Sequence, residues 1–396
     1  MTDPSETFSP AVFSERLFEI MKRINIGVEE LELYEFRYCL DNLIPRDGGW
    51  ATVEPDKMNE IEQMINSREF FIGVQLRPKA DEKIVLDETI AQLTRMLFVG
   101  LLTGSYPEEW IDKHFYFDVR GFYFLPRTVY FTDPVLAHFS GKPYKTFEQK
   151  QKGFARYQGV GYKDFKAANL EIDQCFIDSI MKMIARKGTP ILFTLAGPTA
   201  AGKTEIVARL HSTFEQAGMR VSTIEMDNFL TDTEYRETNH IDSMGIEAFH
   251  FEIFMESVTK LLQGQKVVIP HYSYGVSSHD PRGKLRSGKA TLEVEPSDII
   301  FIEGNFPFQI EDVAHLIGIK VVYLTDDPIR LKRKWKRDID YRKKYDPNYF
   351  RNRFFRTQYL RAYDCYRAQM EACDMIVYTT AAELWATPEV IRLLER

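Results

Sequence analysis

One short segment of this chain matches a phosphate-binding loop over its whole length. It consists of Gly197-Pro198-Thr199-Ala200-Ala201-Gly202-Lys203-Thr204, which fits the pattern G-x-x-x-x-G-K-[ST]. An apolar strand is predicted before it and a helix after it, so backbone N–H groups and the helix dipole would point at bound phosphates. We expect Lys203 to reach the β- and γ-phosphates of ATP and the Thr204 hydroxyl to bind Mg²⁺. A chance match in a glycine-rich loop is the alternative.

Two acidic residues follow strands downstream of this loop. Asp227 ends a strand predicted at 220–226, and Glu303 ends the apolar run 298–302. Open α/β sheets bind ligands at the carboxyl ends of their strands, so Asp227 is placed to accept a proton from an attacking hydroxyl. Glu303 has the position of a Walker B acid, which holds Mg²⁺ directly or through water. A turn-capping Asp and a solvated Glu are the structural alternatives.

A strongly basic segment, RLKRKWKRDIDYRKK, spans residues 330–344. Its cations could form a solvated helix face, a nucleic-acid patch, or a mobile lid whose arginines close over the phosphates. Asp338 and Asp340 interrupt the basic run and the chain as a whole is acidic, which argues against nucleic acid. We predict a lid role for two or three of these residues and surface positions for the rest.

Predicted strands and helices alternate in the second half of the chain. Short apolar strands are predicted at 191–195, 220–226, 266–269, 298–302 and 319–324. The predicted helices between them end at glycines, which is typical of helix C-termini. This alternation predicts an α/β fold, a P-loop NTPase parallel sheet flanked by helices.

The first half of the chain has a different character. Residues 1–185 are dense in aromatic residues and mix helix and strand signals, so they predict a separate N-terminal mixed α+β domain of unknown role. Within it we expect helices at 13–24 and 87–102, and half-buried strands between 115 and 131. Residues 186–396 are the predicted P-loop domain.

The composition suits a folded protein of two domains. Of 396 residues 44% are hydrophobic and 28% charged, and Lys+Arg 51 against Asp+Glu 58 leaves a net charge of −7. A chain of this charge is not expected to bind nucleic acid or an anionic membrane. The four cysteines are scattered, the start MTDPSETFSP does not resemble a signal peptide, and apolar runs are far shorter than the ~20 residues of a membrane span. We therefore expect a cytoplasmic protein with no membrane partner.

Several short motifs follow the phosphate loop in a fixed order. They are Met226-Asp227-Asn228-Phe229, Gly245-Ile246-Glu247-Ala248-Phe249, Pro270-His271-Tyr272-Ser273-Tyr274, Ile302-Glu303-Gly304, Arg333-Lys334-Trp335-Lys336-Arg337-Asp338, Gln358-Tyr359 and Ala372-Cys373-Asp374-Met375-Ile376-Val377. In this order they resemble the phosphoribulokinase/uridine kinase family of P-loop kinases, over about residues 190–379. Each motif is weak alone, and the shared order makes the resemblance specific.

The resemblance implies transfer of the ATP γ-phosphate to an alcohol of a small metabolite, such as a nucleoside, a sugar phosphate, glycerate or pantothenate. It gives Asp227 the role of catalytic base, Arg333 and Arg337 the lid role, and Glu303 that of the metal-side carboxylate. Lys203 completes the expected catalytic set, and ATP and Mg²⁺ are the implied cofactors. Residues 186–396 are on this basis a kinase domain.

The chain departs from the family pattern where the acceptor would bind. Ser273 replaces an Asp of the family, and His279 and Arg282 are displaced relative to its H-x-R segment. The ATP-handling residues are spared, so we expect a rewritten acceptor pocket. His271, Tyr272 and His279 are candidate acceptor contacts, with a buried tyrosine and surface histidines as the alternatives.

Three functions remain open at this point. The first is an ATP-dependent kinase acting on a hydroxyl of a small metabolite. The second is an ATP-binding regulatory switch with a degenerate acceptor site, and the third is a kinase that uses the basic segment to act on nucleic acid. The N-terminal half could form a homodimer, cover the acceptor site or sense a ligand.

Overall fold

The fold is taken from a computed structural model of the chain. It describes residues 7–67, 69–70, 74, 86–127, 130–140, 170–241, 245–305, 310–337, 359 and 365–395.

Internal contacts divide the chain into two compact units. The first is formed by Met1–Val129, Gly153–Tyr162 and Asp326–Leu360, and the second by Tyr130–Lys152, Lys163–Thr325 and Arg361–Arg396. Each unit is formed by three separate segments of the chain, so no single boundary in the sequence divides them. The division into domains at residues 185 and 186 therefore stays a prediction.

The described part of the first unit begins with six helices and a hairpin. The helices are α1 (Pro10–Ile24), α2 (Ile26–Glu29), α3 (Leu33–Asp41), α4 (Met58–Ile65), α5 (Glu88–Thr103) and α6 (Glu108–His114). A 3₁₀ turn occupies Gly49–Thr52, and the strands β1 (Phe115–Asp118) and β2 (Tyr123–Pro126) pair antiparallel. The helices expected at 13–24 and 87–102 are present as α1 and α5, and the strands expected between 115 and 131 are present as β1 and β2.

Aromatic packing forms the core of this unit. Phe13, Leu17 and Met21 repeat every four residues along α1, so they lie on one face of the helix and are fully buried. The expectation of half-buried strands is wrong for β2, where all four residues are buried. The ring of Phe98 from α5 packs against Phe124, with the ring centroids 5.5 Å apart, which covers this strand.

The second unit contains most of the sheet structure. Its helices are α7 (Asp133–His138), α8 (Leu170–Lys187), α9 (Lys203–Gln216), α10 (Thr233–Thr238), α11 (Phe251–Leu262), α12 (Glu311–Ala314), α14 (Arg367–Ala372) and α15 (Pro388–Glu395), with α13 (Asp327–Trp335) in the first unit. Its strands are β3 (Ile191–Ala196), β4 (Val221–Glu225), β5 (Val267–Ile269), β6 (Tyr272–Ser273), β7 (Val276–Ser277), β8 (Leu292–Val294), β9 (Ile299–Gly304), β10 (Ile319–Leu324), β11 (Met375–Tyr378) and β12 (Glu383–Ala386).

Six of these strands form the central sheet, in the order β12-β11-β10-β3-β9-β4. All pairs are parallel except β11 with β12, which are antiparallel. Strand β3 is present where the apolar run at 191–195 predicts a strand, lies between β10 and β9, and is buried at every position. The expected α/β fold with a parallel sheet is confirmed.

Strand β5 is a correction to the expected sheet. The strand pattern at 266–269 predicts a member of the parallel sheet, but Val267–Ile269 pairs antiparallel with Leu292–Val294 in a separate two-stranded ribbon. The physical reason is the exposure of Val268, which is 56% accessible to solvent. A strand with one face in solvent suits a small antiparallel ribbon, whereas strands of a covered parallel sheet are buried on both faces.

One buried carboxylate ties helix α8 to the sheet and to α9. Asp173 accepts a hydrogen bond from the Tyr323 hydroxyl of β10 at 2.6 Å and another from Arg209 Nη1 of α9 at 2.5 Å. Its side chain is almost completely buried. The helix that precedes the phosphate loop in the chain is thereby fixed to the helix that follows the loop.

We expect Asp173→Ala to lower the free energy of unfolding by about 3 kcal/mol, because two hydrogen bonds to a buried charge are lost. Equilibrium urea unfolding followed by circular dichroism measures this change. The matched control is Asp178→Ala, an exposed carboxylate on the same helix, which should change stability by less than ~0.5 kcal/mol. Equal losses in both variants would contradict a clamping role for Asp173.

Candidate active site

The phosphate loop leaves the sheet at Gly197 in a backbone conformation that suits glycine. The φ angle of Gly197 is +152°, and a Cβ atom there would lie 2.2 Å from the carbonyl oxygen of Tyr323. Gly202, where the loop enters helix α9, has a φ angle of +107°. Thr199 and Ala200, which lie between the two glycines, are half-buried. Both motif glycines are therefore required by the path of the backbone.

Hydrogen bonds hold the loop on two sides. The Lys203 ammonium group donates to the carbonyl oxygens of Gly197 at 2.8 Å and Pro198 at 3.2 Å. On the other side the hydroxyl of Thr325, the residue after β10, donates to the carbonyl oxygen of Ala201 at 2.9 Å. The loop is thus anchored to the carboxyl end of a neighbouring strand.

Strand β9 brings Glu303 to the start of helix α9. Parallel pairing sets Glu303 opposite Leu195 of β3, one residue before the strand ends. The Thr204 hydroxyl, in the first turn of α9, donates a hydrogen bond to Glu303 Oε1 at 3.1 Å. The two residues predicted to hold a metal are therefore in direct contact.

This pair of oxygen atoms fits the requirements of Mg²⁺. Hydroxyl and carboxylate oxygens are suitable donors, and two ligands at about 2.1 Å in adjacent octahedral positions lie about 3.0 Å apart. Among the residues that the structure describes, no group of three or more His, Cys, Asp or Glu residues is placed to hold a metal ion. Two protein oxygens are enough when phosphate oxygens and water complete the coordination, as is usual for Mg²⁺.

Asp227 lies one strand further along the sheet. Strand β4 ends at Glu225, and Asp227 is exposed on the 3₁₀ turn Met226–Phe229 that follows. Glu225 stands opposite Glu303 in the parallel register. Glu225 is exposed, but partial desolvation by its surroundings raises its pKa, and the negative charges of Glu303 and Asp227 raise it further. Three carboxylates therefore interact at one edge of the sheet.

A short hairpin formed by β6 and β7 contacts the segment that carries Asp227. The backbone N–H of Tyr272 in this hairpin donates to Asn228 Oδ1 at 3.3 Å. The Tyr272 hydroxyl lies 2.8 Å from the hydroxyl of Thr233 at the start of α10. Tyr272 is therefore adjacent to the residue that follows Asp227 in the chain.

Arg286 and Asp232 form a salt bridge beside this hairpin. The Ser277 N–H also donates to Asp232, at 2.7 Å. Burial opposes ionisation of Asp232, but the hydrogen bonds from Arg286 and Ser277 outweigh it and lower the pKa of this carboxyl. The pair holds β7 to the chain before α10.

A second arginine, Arg236 of α10, has a different set of partners. It is 7% exposed, and it donates to the Thr231 carbonyl, to the Thr233 hydroxyl at 3.2 Å and to the Tyr272 hydroxyl at 3.0 Å. Its guanidinium carbon lies 5.5 Å from the centre of the Tyr272 ring. All three acceptors are neutral oxygen atoms.

The candidate acceptor histidines belong to a polar cluster behind the hairpin. The His271 N–H donates to Ser278 Oγ at 2.9 Å, and His279 Nδ1 lies 2.9 Å from the same oxygen. His250 Nε2 lies 3.2 Å from Ser277 Oγ, with its ring 5.9 Å from that of His279. Burial lowers the pKa of His250 to about 4, assisted by His279. Contact of His271 and His279 with an acceptor stays a prediction.

The basic segment is described as far as Arg337. Arg333 in α13 is buried and Arg337 is half-buried, and their lid role stays a prediction. A surface position is wrong for Arg330, which is fully buried in a salt bridge with Asp327. The carboxylate one turn earlier compensates the buried charge. Outside the described residues lie 338–344 and Gln358.

Three features of this region were not selected from the sequence: Glu225, Arg236 and the Asp232–Arg286 pair. Glu225 had a usable signal, because it is two residues from Asp227 at a strand end and side chains two apart share a face of a strand. Arg236 and Arg286 had none, because Tyr272 and Asp232 are 36 and 54 residues away from them in the chain.

The fold and the site together define a class of protein. A phosphate loop after the central strand of a parallel sheet, with an acidic residue at the end of the next strand, is the arrangement of a P-loop nucleotide-binding domain. The model of the Phosphoribulokinase / Uridine kinase family matches residues 192–384 of this chain.

Individual known proteins are similar to parts of this chain. The uridine kinase of Streptococcus agalactiae is 30% identical over 159 residues, which are 39% of this chain and 70% of that protein. The uridine kinase of Brevibacillus brevis is 27% identical over 158 residues, 39% of this chain and 69% of that protein. The solved D-glycerate 3-kinase of Cryptococcus neoformans covers 53% of this chain and 96% of its own length at 14% identity, with a TM-score of 0.39.

The chain belongs to the phosphoribulokinase/uridine kinase family, as its motif order predicts. Kinases of this family act on small molecules. Membership of the family does not identify the acceptor of this chain. The match begins at residue 192, so it does not extend to the first half of the chain. Within the described part of the chain, no helix combines the length and apolar character needed to cross a membrane.

We expect Gly197→Ala to abolish nucleotide binding, because the new Cβ would overlap the Tyr323 carbonyl and displace the loop. Titration with a fluorescent ATP analogue measures this. The control is Gly218→Ala, since Gly218 also has a positive φ, of +79°, but a Cβ added there would have no neighbouring atom within 4 Å. It should bind nucleotide normally and lose about 1 kcal/mol of stability. Normal binding by Gly197→Ala would contradict the steric argument.

The neutral, buried His250 predicts a pH dependence of stability. Its pKa is about 4 in the folded chain and about 6.5 in the unfolded chain. The unfolded state therefore binds the proton first, and the free energy of unfolding should fall by up to about 1.4 kcal/mol per pH unit between roughly pH 6 and pH 4. His279, Asp232, Asp280 and Arg286 are the charged groups that face this ring.

Urea unfolding at pH 7, 6, 5 and 4.5 measures this dependence. His250→Asn should flatten the slope, whereas His315→Asn, at an exposed position, should leave it unchanged. An unaltered slope in the His250 variant would show that other groups control the acid sensitivity.

Proposed function

We propose that the chain transfers the γ-phosphate of ATP to a hydroxyl group of a small metabolite. The observation that carries this proposal is the contact between the Thr204 hydroxyl and the Glu303 carboxylate, 3.1 Å apart, with Asp227 on the turn that follows the adjacent strand. A phosphate loop alone would suit any nucleotide-binding protein. A separate carboxylate beyond the metal-binding pair is what phosphoryl transfer to an alcohol requires.

The phosphates of ATP bind along residues 197–204. Lys203 contacts the β- and γ-phosphates and stabilises the negative charge that develops between them. Thr204 and Glu303 would hold Mg²⁺, which would neutralise part of the negative charge of these phosphates. The lid role that the motif order implies for Arg333 and Arg337 is part of this proposal. Positioning and charge stabilisation supply most of the rate enhancement, because the reaction needs little covalent help from the protein.

Asp227 acts as the general base. The acceptor oxygen forms a bond to the γ-phosphorus while the bond to the β,γ-bridging oxygen breaks, and ADP leaves. The proton of the acceptor hydroxyl passes to the Asp227 carboxylate. Its exposure on the turn after β4 leaves this carboxylate accessible to an acceptor. Tyr272, next to the same turn, is a candidate acceptor contact.

We expect Asp227→Asn to retain ATP binding and to lose about 10²- to 10⁴-fold in kcat, because an amide cannot accept the proton. The measurement is ADP release from Mg·ATP with nucleosides, pentose phosphates, glycerate and pantothenate as acceptors. Glu225→Gln is the matched control, since it removes a neighbouring carboxylate that has no assigned proton-transfer role. It should lose much less activity than the Asp227 variant. Lys203→Ala should abolish both binding and turnover.

The outcomes separate the two main functions. Acceleration of ADP release by one acceptor, lost in Asp227→Asn, supports a metabolite kinase and identifies its acceptor class. A fully active Asp227→Asn variant removes this residue from the mechanism. ATP binding without acceleration by any acceptor would instead favour a regulatory nucleotide switch.

A further inference from the structure

We propose that the acceptor of this kinase carries an anionic group, a phosphate or a carboxylate, which binds the guanidinium of Arg236. This inference rests on the proposed function, because it concerns the acceptor side of the same site. It adds a specificity-determining residue outside the phosphate loop and the basic segment.

The first observation concerns a buried cation whose partners among the described residues are all neutral. Arg236 is 7% exposed, and its hydrogen bonds go to one backbone carbonyl and two hydroxyl groups. Among the described residues it forms no salt bridge. A guanidinium cannot lose its proton at any relevant pH, so its charge stays in this buried setting. Burial of an uncompensated charge is unfavourable, and an anionic ligand would offset that cost.

The second observation is that Asp232, the acid at the start of the same helix, already binds another arginine. Asp232 precedes α10 by one residue, but its carboxylate binds Arg286 through both oxygens. The hairpin sequence from Tyr272 to Ser277, Tyr-Ser-Tyr-Gly-Val-Ser, contains no acidic residue either. His250, behind the hairpin, is neutral at pH 7. Among the described residues, the hydrogen-bond partners of Arg236 therefore include no group that compensates its charge.

The third observation is that contacts connect the Arg236 guanidinium, through Tyr272, to the turn that carries Asp227. Arg236 contacts the Tyr272 ring and hydroxyl, and the Tyr272 backbone binds Asn228, the residue after Asp227. An acceptor whose hydroxyl meets Asp227 would thus have Tyr272 and Arg236 beside it. The planar fork of an arginine matches the two oxygens of a carboxylate or a phosphate. The Tyr272 and Thr233 hydroxyls hold the guanidinium in place for such an anion.

Binding measurements on the full chain test this inference without requiring turnover. The chain is saturated with Mg·AMP-PNP, a non-hydrolysable ATP analogue, so that the phosphate loop is filled. Isothermal titration calorimetry then compares matched acceptors that differ in charge: ribose with ribose 5-phosphate, ribulose with ribulose 5-phosphate, and glycerol with D-glycerate. The phosphate and carboxylate members of the panel distinguish the two kinds of anion.

We expect at least one anion to bind at a single site and its neutral counterpart to bind at least 10-fold more weakly. Arg236→Gln should weaken binding of that anion about 10- to 100-fold, because a charged hydrogen bond is lost. Arg236→Lys, which keeps the charge but not the fork, should give an intermediate loss. The control Arg186→Gln, an exposed arginine at the end of α8, should bind as the unaltered chain does. Circular dichroism melting curves confirm that each variant is folded.

Three results would overturn the inference: no anion binds, a neutral counterpart binds as tightly, or the anion binds Arg236→Gln and Arg236→Lys as tightly as the unaltered chain. Turnover distinguishes this failure from failure of the proposed function. A neutral acceptor phosphorylated in an Asp227-dependent way leaves the kinase activity standing and removes the anion site. Anion binding that depends on Arg236, without any ADP release, leaves the site standing and removes the kinase activity.

Discussion

The parallel pairing of β3 with β9 is the constraint on which the site depends. The register runs without a bulge from Ile191 opposite Ile299 to Ala196 opposite Gly304, so both strands end at the same height. The loop and Glu303 therefore emerge side by side, and the Thr204 hydroxyl can reach the carboxylate. A slip of one residue would turn Glu303 to the other face of the sheet. Such a slip would also exchange side chains of different size between the two packed faces of the sheet, and close packing opposes that exchange.

Strand β10 supplies the second support of the phosphate loop. The backbone of Gly197 lies so close to the Tyr323 carbonyl of β10 that no side chain would fit at position 197. The Thr325 hydroxyl, just after β10, donates a hydrogen bond to the Ala201 carbonyl. Tyr323 also reaches Asp173 through its hydroxyl, so one residue joins the loop to α8. The loop is thus held by packing and hydrogen bonds that exist before any phosphate binds. Preorganisation of this kind lowers the entropy that ligand binding would otherwise lose.

The two sides of the site have opposite electrostatic character. Glu225, Asp227 and Glu303 concentrate negative charge at the sheet edge, where a cation is needed before polyphosphate can approach. Beside Tyr272 lies the cation Arg236, whose hydrogen-bond partners among the described residues are neutral. The change from an acidic residue of the family pattern to Ser273 lies in this same hairpin. An acceptor oriented by its own charge would present its hydroxyl group toward Asp227.

The sequence by itself determined the nucleotide side of this protein. Phosphate-loop chemistry lies within eight consecutive residues, and Asp227 and Glu303 each follow an apolar run that predicts a strand. Local patterns of this kind can be identified without knowledge of the tertiary contacts. The expectation for Val267–Ile269 failed because a three-residue run does not show which strand it will pair with, and only the exposure of Val268 decided that. The prediction of half-buried strands failed at β2 because alternating aromatics look amphipathic until α5 covers them.

Only the tertiary structure decided the surroundings of the acceptor side. Arg330 looked like one of many surface cations, but packing buried it against Asp327. The pairing of Asp232 with Arg286, across 54 residues, left Arg236 with hydroxyls and a carbonyl as its partners. Whether Arg236 or Arg286 pairs with Asp232 depends on contacts between residues far apart in the chain. A local sequence pattern does not predict such contacts.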